Sequence, residues 1–340
     1  MVSDLARQLN RPLSIGSARI DRRLTLAPLT FLGHIAFREL LAGLGGYGLL
    51  FSEMCSARRI PNESRSQSAY FCWREAERER LVMQIVGAEP DTMATAARII
   101  ENNGLFGVDL NFGCSVSTIC KLQSGAALLK TPDRAARIVE AVRRAVSIPL
   151  FVKFRTGWKN DPAIAVELAK RFESAGADAL TFHPRVAPDR RARPPRWDYI
   201  RQVKDAVSIP VFGNGDVFDE NDCLRMLKTT GCDGVAIGRM AIARPWIMAR
   251  MTGGPVPGPD IYRQTAMKLL DLTARHFDER RALRRFRKFA VYFSANFKFA
   301  HSFSKRITNA PDLATVKIEL ERFFNKYPER VSRPNMNFFQ

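Results

Sequence analysis

The sequence predicts an α/β protein, a (β/α)8 TIM barrel followed by a small, basic, all-helical C-terminal domain. Three observations favour this fold. Short apolar segments rich in β-branched residues recur from residue 24 to residue 239, and each ends in glycine or a polar residue. Helix-compatible stretches separate them, over a length close to the roughly 250 residues of such a barrel. A proline-rich segment and a strongly basic region then follow.

Eight strands are predicted, and most are apolar throughout, which is typical of parallel strands buried on both faces. They cover residues 24–28, 47–53, 81–87, 107–113, 148–155, 179–185, 209–215 and 234–239. Amphipathic patterns predict helices at 132–146, 161–175, 197–206 and 219–230. A doubly wound sheet is the alternative fold. Its glycine signature is not supported, because the G-x-G-x-x-G match at 43–48 precedes a strand, and we interpret it as a loop that ends a helix.

The character of the chain changes at residues 255–259, Pro-Val-Pro-Gly-Pro, which predict a linker. We therefore place a barrel domain at 1–254 and a helical domain at 255–340. Residues 275–306 carry ten Lys or Arg against Asp278 and Glu279, a net charge of +8. The aromatic residues among them are interpreted as a helical core, which leaves the basic side chains free to face phosphates. These aromatic residues are Phe286, Phe289, Tyr292, Phe293, Phe297 and Phe299.

Composition limits the partners. The formal charge of +19 favours a polyanion, with nucleic acid as the leading candidate. The six cysteines form no C-x-x-C pair, so neither a metal site nor a disulfide framework is expected. No apolar run approaches the roughly 20 residues of a membrane span, and the N-terminus lacks an apolar signal core. We expect a cytoplasmic monomer with no membrane partner.

Polar residues at the carboxyl ends of barrel strands form the active site of such folds. The predicted strand ends carry Thr30, Glu53, Gln84, Asn111, Cys114, Lys153, Arg155, His183, Arg185, Asn214, Asp216, Gly238 and Arg239. This set contains no adjacent carboxylate pair and no serine elbow, so it does not indicate a hydrolase. The glycine-rich ends of the last two strands predict a phosphate site. With Lys153 and His183 beside them, they predict a phosphorylated cofactor, although a plain salt bridge and a hydrogen-bonded core histidine are the alternatives for these two residues.

Eight motifs follow one another along the predicted barrel. They are Ala27-Pro28-Leu29, Gln84-Ile85-Val86-Gly87, Asp109-Leu110-Asn111-Phe112-Gly113-Cys114, Gly125-Ala126-Ala127-Leu128-Leu129, Val152-Lys153-Phe154-Arg155-Thr156-Gly157-Trp158, His183-Pro184-Arg185, Gly213-Asn214-Gly215-Asp216 and Asp233-Gly234-Val235-Ala236-Ile237-Gly238-Arg239. In this order they resemble the motifs of the tRNA-dihydrouridine synthases. The resemblance covers residues 24–246 and extends more loosely to the basic C-terminus, so it implies that the domain at 255–340 is an RNA-binding domain.

This resemblance implies an FMN-dependent reduction of the C5–C6 bond of a uridine in RNA, with NADPH as the electron source. Hydride would go to C6, and Cys114 would protonate C5; a thiol with an ordinary pKa of about 8.5 is protonated at neutral pH. Asn111 and Arg185 would face the uridine, which must be flipped out of its stack. The implied FMN ligands are Pro28, Leu29, Thr30, Gln84, Lys153, His183, Asn214, Gly215, Asp216, Gly238 and Arg239.

The sequence departs from the family pattern around the barrel mouth. Ser115 stands where the family usually has proline, residues 30–34 differ from the usual first motif, and residues 186–196 form an arginine-rich segment with a Pro194-Pro195 pair. The uridine that is reduced, or the class of RNA, could therefore differ. Ribosomal RNA is an alternative substrate. The sequence also leaves open a small-molecule FMN reductase of the ene-reductase or dihydroorotate type and a catalytically inactive RNA-binding barrel.

Overall fold

The computed structural model of the protein describes residues 2–189, 193–298 and 300–334. An N-terminal helix, Val2–Leu9 (α1), and a hairpin of Leu13–Ile15 (β1) with Ala18–Ile20 (β2) precede the barrel. The strands that follow are Leu24–Leu26 (β3), Leu49–Phe51 (β4), Cys55–Ser56 (β5), Leu81–Val86 (β6), Gly107–Phe112 (β7), Leu150–Gly157 (β8), Ala179–Val186 (β9), Val211–Asn214 (β10) and Gly234–Ile237 (β11).

Within the described ranges, eight parallel strands close into a ring in the order β3, β4, β6, β7, β8, β9, β10, β11 and back to β3. Each corresponds to a predicted strand, so the barrel is confirmed and the doubly wound alternative is wrong. The short strand β5 continues the line of β4 along β6. The register places Asn111 beside Lys153 and Arg155 beside His183, so the polar strand ends meet at one end of the barrel.

Helices alternate with the strands. Those of the barrel region are Ile35–Leu44 (α2), Pro90–Asn102 (α3), Ser117–Lys121 (α4), Pro132–Ala145 (α5), Pro162–Ser174 (α6), Asp198–Ala206 (α7), Glu220–Thr230 (α8), Arg239–Ala243 (α9) and Ile247–Met251 (α10). The four predicted helices correspond to α5–α8. Asp161 and Asp219 cap α6 and α8 by accepting backbone N–H bonds. Gly45, with φ of +76°, ends α2, which confirms the interpretation of residues 43–48 as a helix-ending loop.

The β1–β2 hairpin closes the amino end of the barrel and was not predicted. Ile15 and Ile20 are buried in one cluster with Phe51, Phe151 and Phe212 inside the barrel. Strands of three residues are too short for an alternating pattern to stand out from the surrounding sequence. The hairpin fills the barrel end that lies opposite the polar strand ends.

The C-terminal helices are Ile261–His276 (α11), Glu279–Ser294 (α12), His301–Asn309 (α13) and Leu313–Phe324 (α14). Five of the six predicted core aromatics are buried, and Phe299 lies outside the described residues. These helices share one hydrophobic core with the outside of the barrel, and Arg244 Nε donates to Asn296 Oδ1 at 2.7 Å between the two parts. The division at residue 255 stays a prediction. None of the helices in the described part of the chain is long and apolar enough to cross a bilayer.

Candidate active site

A cavity of about 220 Å³ opens at the carboxyl ends of β8–β11, and we call it the strand-end cavity. Ten of the fourteen predicted site residues line it: Pro28, Leu29, Lys153, His183, Arg185, Asn214, Gly215, Asp216, Gly238 and Arg239. The lining also includes Arg155, Phe218, Met240 and Tyr292. Residues from five separate segments of the predicted barrel thus converge on one site, together with a tyrosine from α12.

The strand-end cavity is strongly cationic. Lys153, Arg155, Arg185 and Arg239 line it, against the single carboxylate of Asp216 among the described lining residues. Asp216 accepts from Arg185 Nη2 at 2.7 Å and from Arg239 Nη2 at 2.9 Å, so it holds both guanidinium groups in place. The remaining positive charge fits an anionic ligand such as a phosphate.

His183 supports the same conclusion. Burial, together with the nearby Arg155 and Lys153, lowers its pKa well below the ordinary value, so the imidazole is neutral at pH 7. Its Nε2 atom is buried and has no hydrogen-bond partner among the described residues. An unsatisfied buried polar atom costs about 1–3 kcal/mol. The atom is available to a polar group of a bound ligand, and the role of His183 in holding a cofactor stays a prediction.

The loop after β10 shows why glycine stands at position 215. Gly215 has φ of +119°, and a Cβ atom there would lie 2.9 Å from Cδ2 of His183. Trp197 Nε1 donates to the Gly215 carbonyl at 3.0 Å, and Asn214 Nδ2 donates to the Ala236 carbonyl at 2.7 Å. These two hydrogen bonds fix the loop beside the cavity, and its role as a phosphate site stays a prediction.

Lys153, which lines the cavity, and the buried Asp109 influence each other electrostatically. Burial, reinforced by Arg155, lowers the pKa of Lys153, while burial raises the pKa of Asp109 above its ordinary range. Both residues are on neighbouring strands, β8 and β7. Asp109 was part of a quoted motif but was not predicted as a site residue. Lys153 therefore holds its proton less tightly than an ordinary lysine does.

A chain of hydrogen bonds connects Asp109 to the loop that carries Cys114. Gln84 Nε2 donates to Asp109 Oδ2 at 2.6 Å, and Asn111 Nδ2 donates to Gln84 Oε1 at 2.8 Å. Asn111 Oδ1 in turn accepts from the Cys114 backbone N–H at 2.9 Å. Gln84 and Asn111, predicted to touch FMN and uridine, thus hold the backbone of the half-buried Cys114; their ligand contacts stay predictions.

The segment after α4 supports the Cys114 loop from the other side. Ala126 N–H donates to the Cys114 carbonyl at 2.9 Å, and Trp158 Nε1 donates to the Ala126 carbonyl at 2.7 Å. Gly125 has φ of +61°, and a Cβ atom there would lie 2.6 Å from the Cys114 carbonyl oxygen. Residues of three sequence motifs, at 109–114, 125–129 and 152–158, thus lie around Cys114.

Other predicted positions behave differently. Four of the fourteen predicted site residues do not line the strand-end cavity: Thr30, Gln84, Asn111 and Cys114. Thr30 is exposed on the turn after β3. Arg155 was identified at a strand end but was not assigned a role, and it donates from Nε to the Gly113 carbonyl at 2.7 Å. Tyr292 had been assigned to the helical core, and no local pattern places it at the cavity. Arg190 and Arg191 of the arginine-rich segment lie outside the described residues.

Comparison with known proteins agrees with this geometry. The family model described as dihydrouridine synthase matches residues 25–327. The chain belongs to the dihydrouridine synthase family. The predicted family is thereby confirmed, and with it the assignment to the oxidoreductases. A probable tRNA-dihydrouridine synthase of Rickettsia prowazekii is 33% identical over 271 residues, covering 78% of this chain and 81% of that protein. The tRNA-dihydrouridine synthase B of Pseudomonas aeruginosa is 32% identical, covering 91% and 95%.

Solved structures support the barrel. The old yellow enzyme from Trypanosoma cruzi is similar with a TM-score of 0.53 at 14% identity, covering 74% of this chain and 94% of that one. Morphinone reductase is similar with a TM-score of 0.52 at 16% identity, covering 76% and 92%. At such identities the likeness concerns the fold.

Proposed function

We propose that this member of the family uses FMN and NADPH to reduce particular uridines in RNA, in the first place tRNA, to 5,6-dihydrouridine. The observation that carries the proposal is the cationic strand-end cavity, with its unpartnered His183 Nε2, beside a cysteine held by its own network of hydrogen bonds. The relatives in Rickettsia prowazekii and Pseudomonas aeruginosa are named as tRNA-dihydrouridine synthases, which supports tRNA over ribosomal RNA as the substrate.

The residues of the strand-end cavity fit FMN by charge and by the polar groups they present. Arg239, with the backbone around Gly215 and Gly238, would hold the phosphate, and His183 and Lys153 would meet polar atoms of the flavin ring. Pro28 and Leu29 would give the cavity its apolar wall. When bound and reduced, FMN supplies the hydride that adds to C6 of the uracil.

Cys114 would supply the proton that completes the reduction. Its Sγ–H bond breaks as the proton passes to C5 of the uracil, and the thiolate left behind regains a proton from water, which can reach this half-buried side chain. Arg185, held by Asp216, and Asn111 would face the uridine. The hydrogen bonds from Asn111 to the loop backbone fix the position from which the thiol acts.

The positive charge of the chain would hold the RNA during this reaction. A target uridine must leave its stack of bases to reach the strand-end cavity, at a cost of a few kcal/mol. Contacts between phosphates and the basic residues of α12 and its neighbours would offset that cost and make binding strongly dependent on salt. We expect the protein to act as a monomer in the cytoplasm.

The first test is the visible absorption spectrum of the purified protein before and after NADPH is added without oxygen. We expect an oxidised-flavin spectrum that bleaches, and dihydrouridine in tRNA incubated with the reduced protein. Dihydrouridine in ribosomal RNA alone would move the proposal to that substrate, and turnover of simple enones or orotate without RNA reduction would favour the small-molecule alternative. A protein that stays colourless after incubation with FMN would overturn the proposal in favour of an inactive RNA-binding barrel.

A further inference from the structure

A second cavity of about 580 Å³ lies beside the strand-end cavity, and nothing in the proposed reaction uses it. Its walls come from the turn after β3, the segment 58–70 after β5, and the first half of α12. Five arginines and one glutamate line it, so we call it the arginine cavity; they are Arg58, Arg59, Arg281, Arg284, Arg285 and Glu63. Phe31 lines it two residues after Leu29, which lines the strand-end cavity, so the turn after β3 contributes to both cavities.

Phe31 has an unusual backbone conformation in this wall. Its φ is +65°, in the left-handed region that favours glycine and is strained for a bulky side chain. The Arg284 guanidinium lies 4.4 Å from the centroid of the Phe31 ring, and the Tyr70 ring meets it edge-on at 6.3 Å. The chain thus holds an aromatic ring, paired with an exposed guanidinium, at a position where glycine would be unstrained.

Buried charges hold this arrangement together. The Glu53 carboxylate accepts a hydrogen bond from the Phe31 backbone N–H and pairs with Arg285 Nη1 at 3.0 Å. Arg285 Nη2 also donates to the Ala69 carbonyl at 3.0 Å. Both charged side chains are almost completely buried. One ion pair therefore connects all three walls of the arginine cavity and holds the backbone of Phe31, whose ring contacts Arg284 and Tyr70.

We propose that the arginine cavity binds a nucleobase adjacent to the target uridine, stacked against the Phe31–Arg284 pair, with Arg58 and Arg281 at the neighbouring phosphates. The inference rests on the proposed function for the identity of the target nucleotide. Flat aromatic and guanidinium groups are the surfaces on which unpaired bases stack, and arginine is also the residue best suited to phosphate. Leu29 of the strand-end cavity and Phe31 of the arginine cavity are two residues apart, so their Cα atoms are at most about 7 Å from each other, a spacing that suits two successive nucleotides of one RNA strand.

The test compares binding of two fluorescently labelled RNAs to the full-length protein: octauridylate, and an octamer with the same ribose-phosphate backbone but no bases. We expect the wild type to bind octauridylate about tenfold more tightly, because stacking adds to the phosphate contacts. Phe31→Gly removes the ring but suits the backbone conformation, so it should remove most of this preference without lowering the melting temperature. Binding of the abasic octamer should change little.

Matched variants separate stacking from charge and from general aromatic contact. Tyr327 is 92% exposed with φ of +48°, and it lines a surface depression that shares no residue with either cavity. Tyr327→Gly should keep the preference for octauridylate. Arg284→Lys, which retains the charge but loses the flat surface, should lower the preference, whereas Arg281→Lys should not.

The inference is overturned if the wild type shows no preference for octauridylate, if Phe31→Gly keeps the preference, or if Tyr327→Gly lowers it equally. These binding results do not depend on catalysis. A protein that fails to make dihydrouridine but loses base preference with Phe31→Gly would contradict the proposed function and leave the base site standing. If Phe31→Gly instead reduces uridine as well as the wild type and keeps the base preference, the base site is contradicted and the proposed function stands.

Discussion

The turn after β3 contributes to both the strand-end cavity and the arginine cavity, yet the walls of the two cavities are built differently. Most of the strand-end cavity comes from residues at the ends of β8–β11, whose relative positions follow from parallel strand register. The arginine cavity comes from a turn, a long loop and a C-terminal helix, and one buried ion pair connects them. The first is rigid because hydrogen-bonded strands support it, whereas the second depends on a few tertiary contacts.

The strand-end cavity is suited to the chemical reaction, and the arginine cavity is suited to binding the RNA. Residues on a barrel rim hold a ligand at a reproducible position, which a proton transfer needs. Loops and a helix that meet around one ion pair can change more easily without loss of the barrel. We therefore expect changes in the first cavity to alter the reaction itself, and changes in the second to alter stability and RNA binding.

The largest expected effect is that of Cys114→Ala. Loss of the proton donor should reduce the rate of dihydrouridine formation about 10²–10⁴-fold while FMN remains bound. Cys120→Ala is the matched control, because Cys120 is also half-buried and contacts the Cys114 carbonyl at 3.6 Å. Rates are measured by mass spectrometry of nucleosides from digested tRNA. Full activity of Cys114→Ala, or an equal loss in both variants, would show that Cys114 is not the acid.

The ion pair between the two parts of the chain should dominate stability. Glu53→Gln leaves Arg285 buried without its charge partner, and we expect the free energy of unfolding in urea to fall by about 3–5 kcal/mol. Glu167→Gln, in an exposed pair with Arg171, should cost at most about 1 kcal/mol. Combining Glu53→Gln with Arg285→Met should restore much of the loss. A small effect of Glu53→Gln alone would mean that the arginine cavity is held by other contacts.

The pH dependence of stability tests the burial of Lys153. Burial, with Arg155 nearby, lowers the pKa of Lys153 to about 8 from its ordinary value of 10.5. Between these values the unfolded chain binds the proton more readily than the folded one, so stability rises with pH across this window. Relative to Lys153→Met, the cofactor-free wild type should gain on the order of 1–2 kcal/mol between pH 8 and 10. An equal pH dependence in both proteins would show that Lys153 is not desolvated.

The smallest effect concerns Gly215. Gly215→Ala and Gly231→Ala both place a side chain at positive φ and should each cost about 1 kcal/mol. A Cβ atom at Gly231 meets nothing within 4 Å, whereas one at Gly215 would press on His183. Fluorescence titration of FMN into cofactor-free protein should therefore show about tenfold weaker binding for Gly215→Ala alone. Equal affinity in the two variants would place FMN away from this loop.

The barrel and most of the strand-end cavity could be predicted because their signals are local. An apolar run followed by glycine or a polar residue is contained within about ten residues, and parallel strands bring their ends to one side of the barrel. His183, Asn214 and Arg239 were selected in this way, and all three line the cavity. The motifs that predicted the family belong to the same strand ends.

Tertiary structure alone decided the remaining features. The Asp109–Gln84–Asn111 chain, the approach of Tyr292 to the cavity and the Glu53–Arg285 pair each join residues far apart in the sequence or on separate strands. The left-handed conformation of Phe31 follows from its contacts with Glu53 and Arg284, since its own side chain disfavours it. Such contacts depend on how helices pack on the barrel, and no short sequence pattern encodes them.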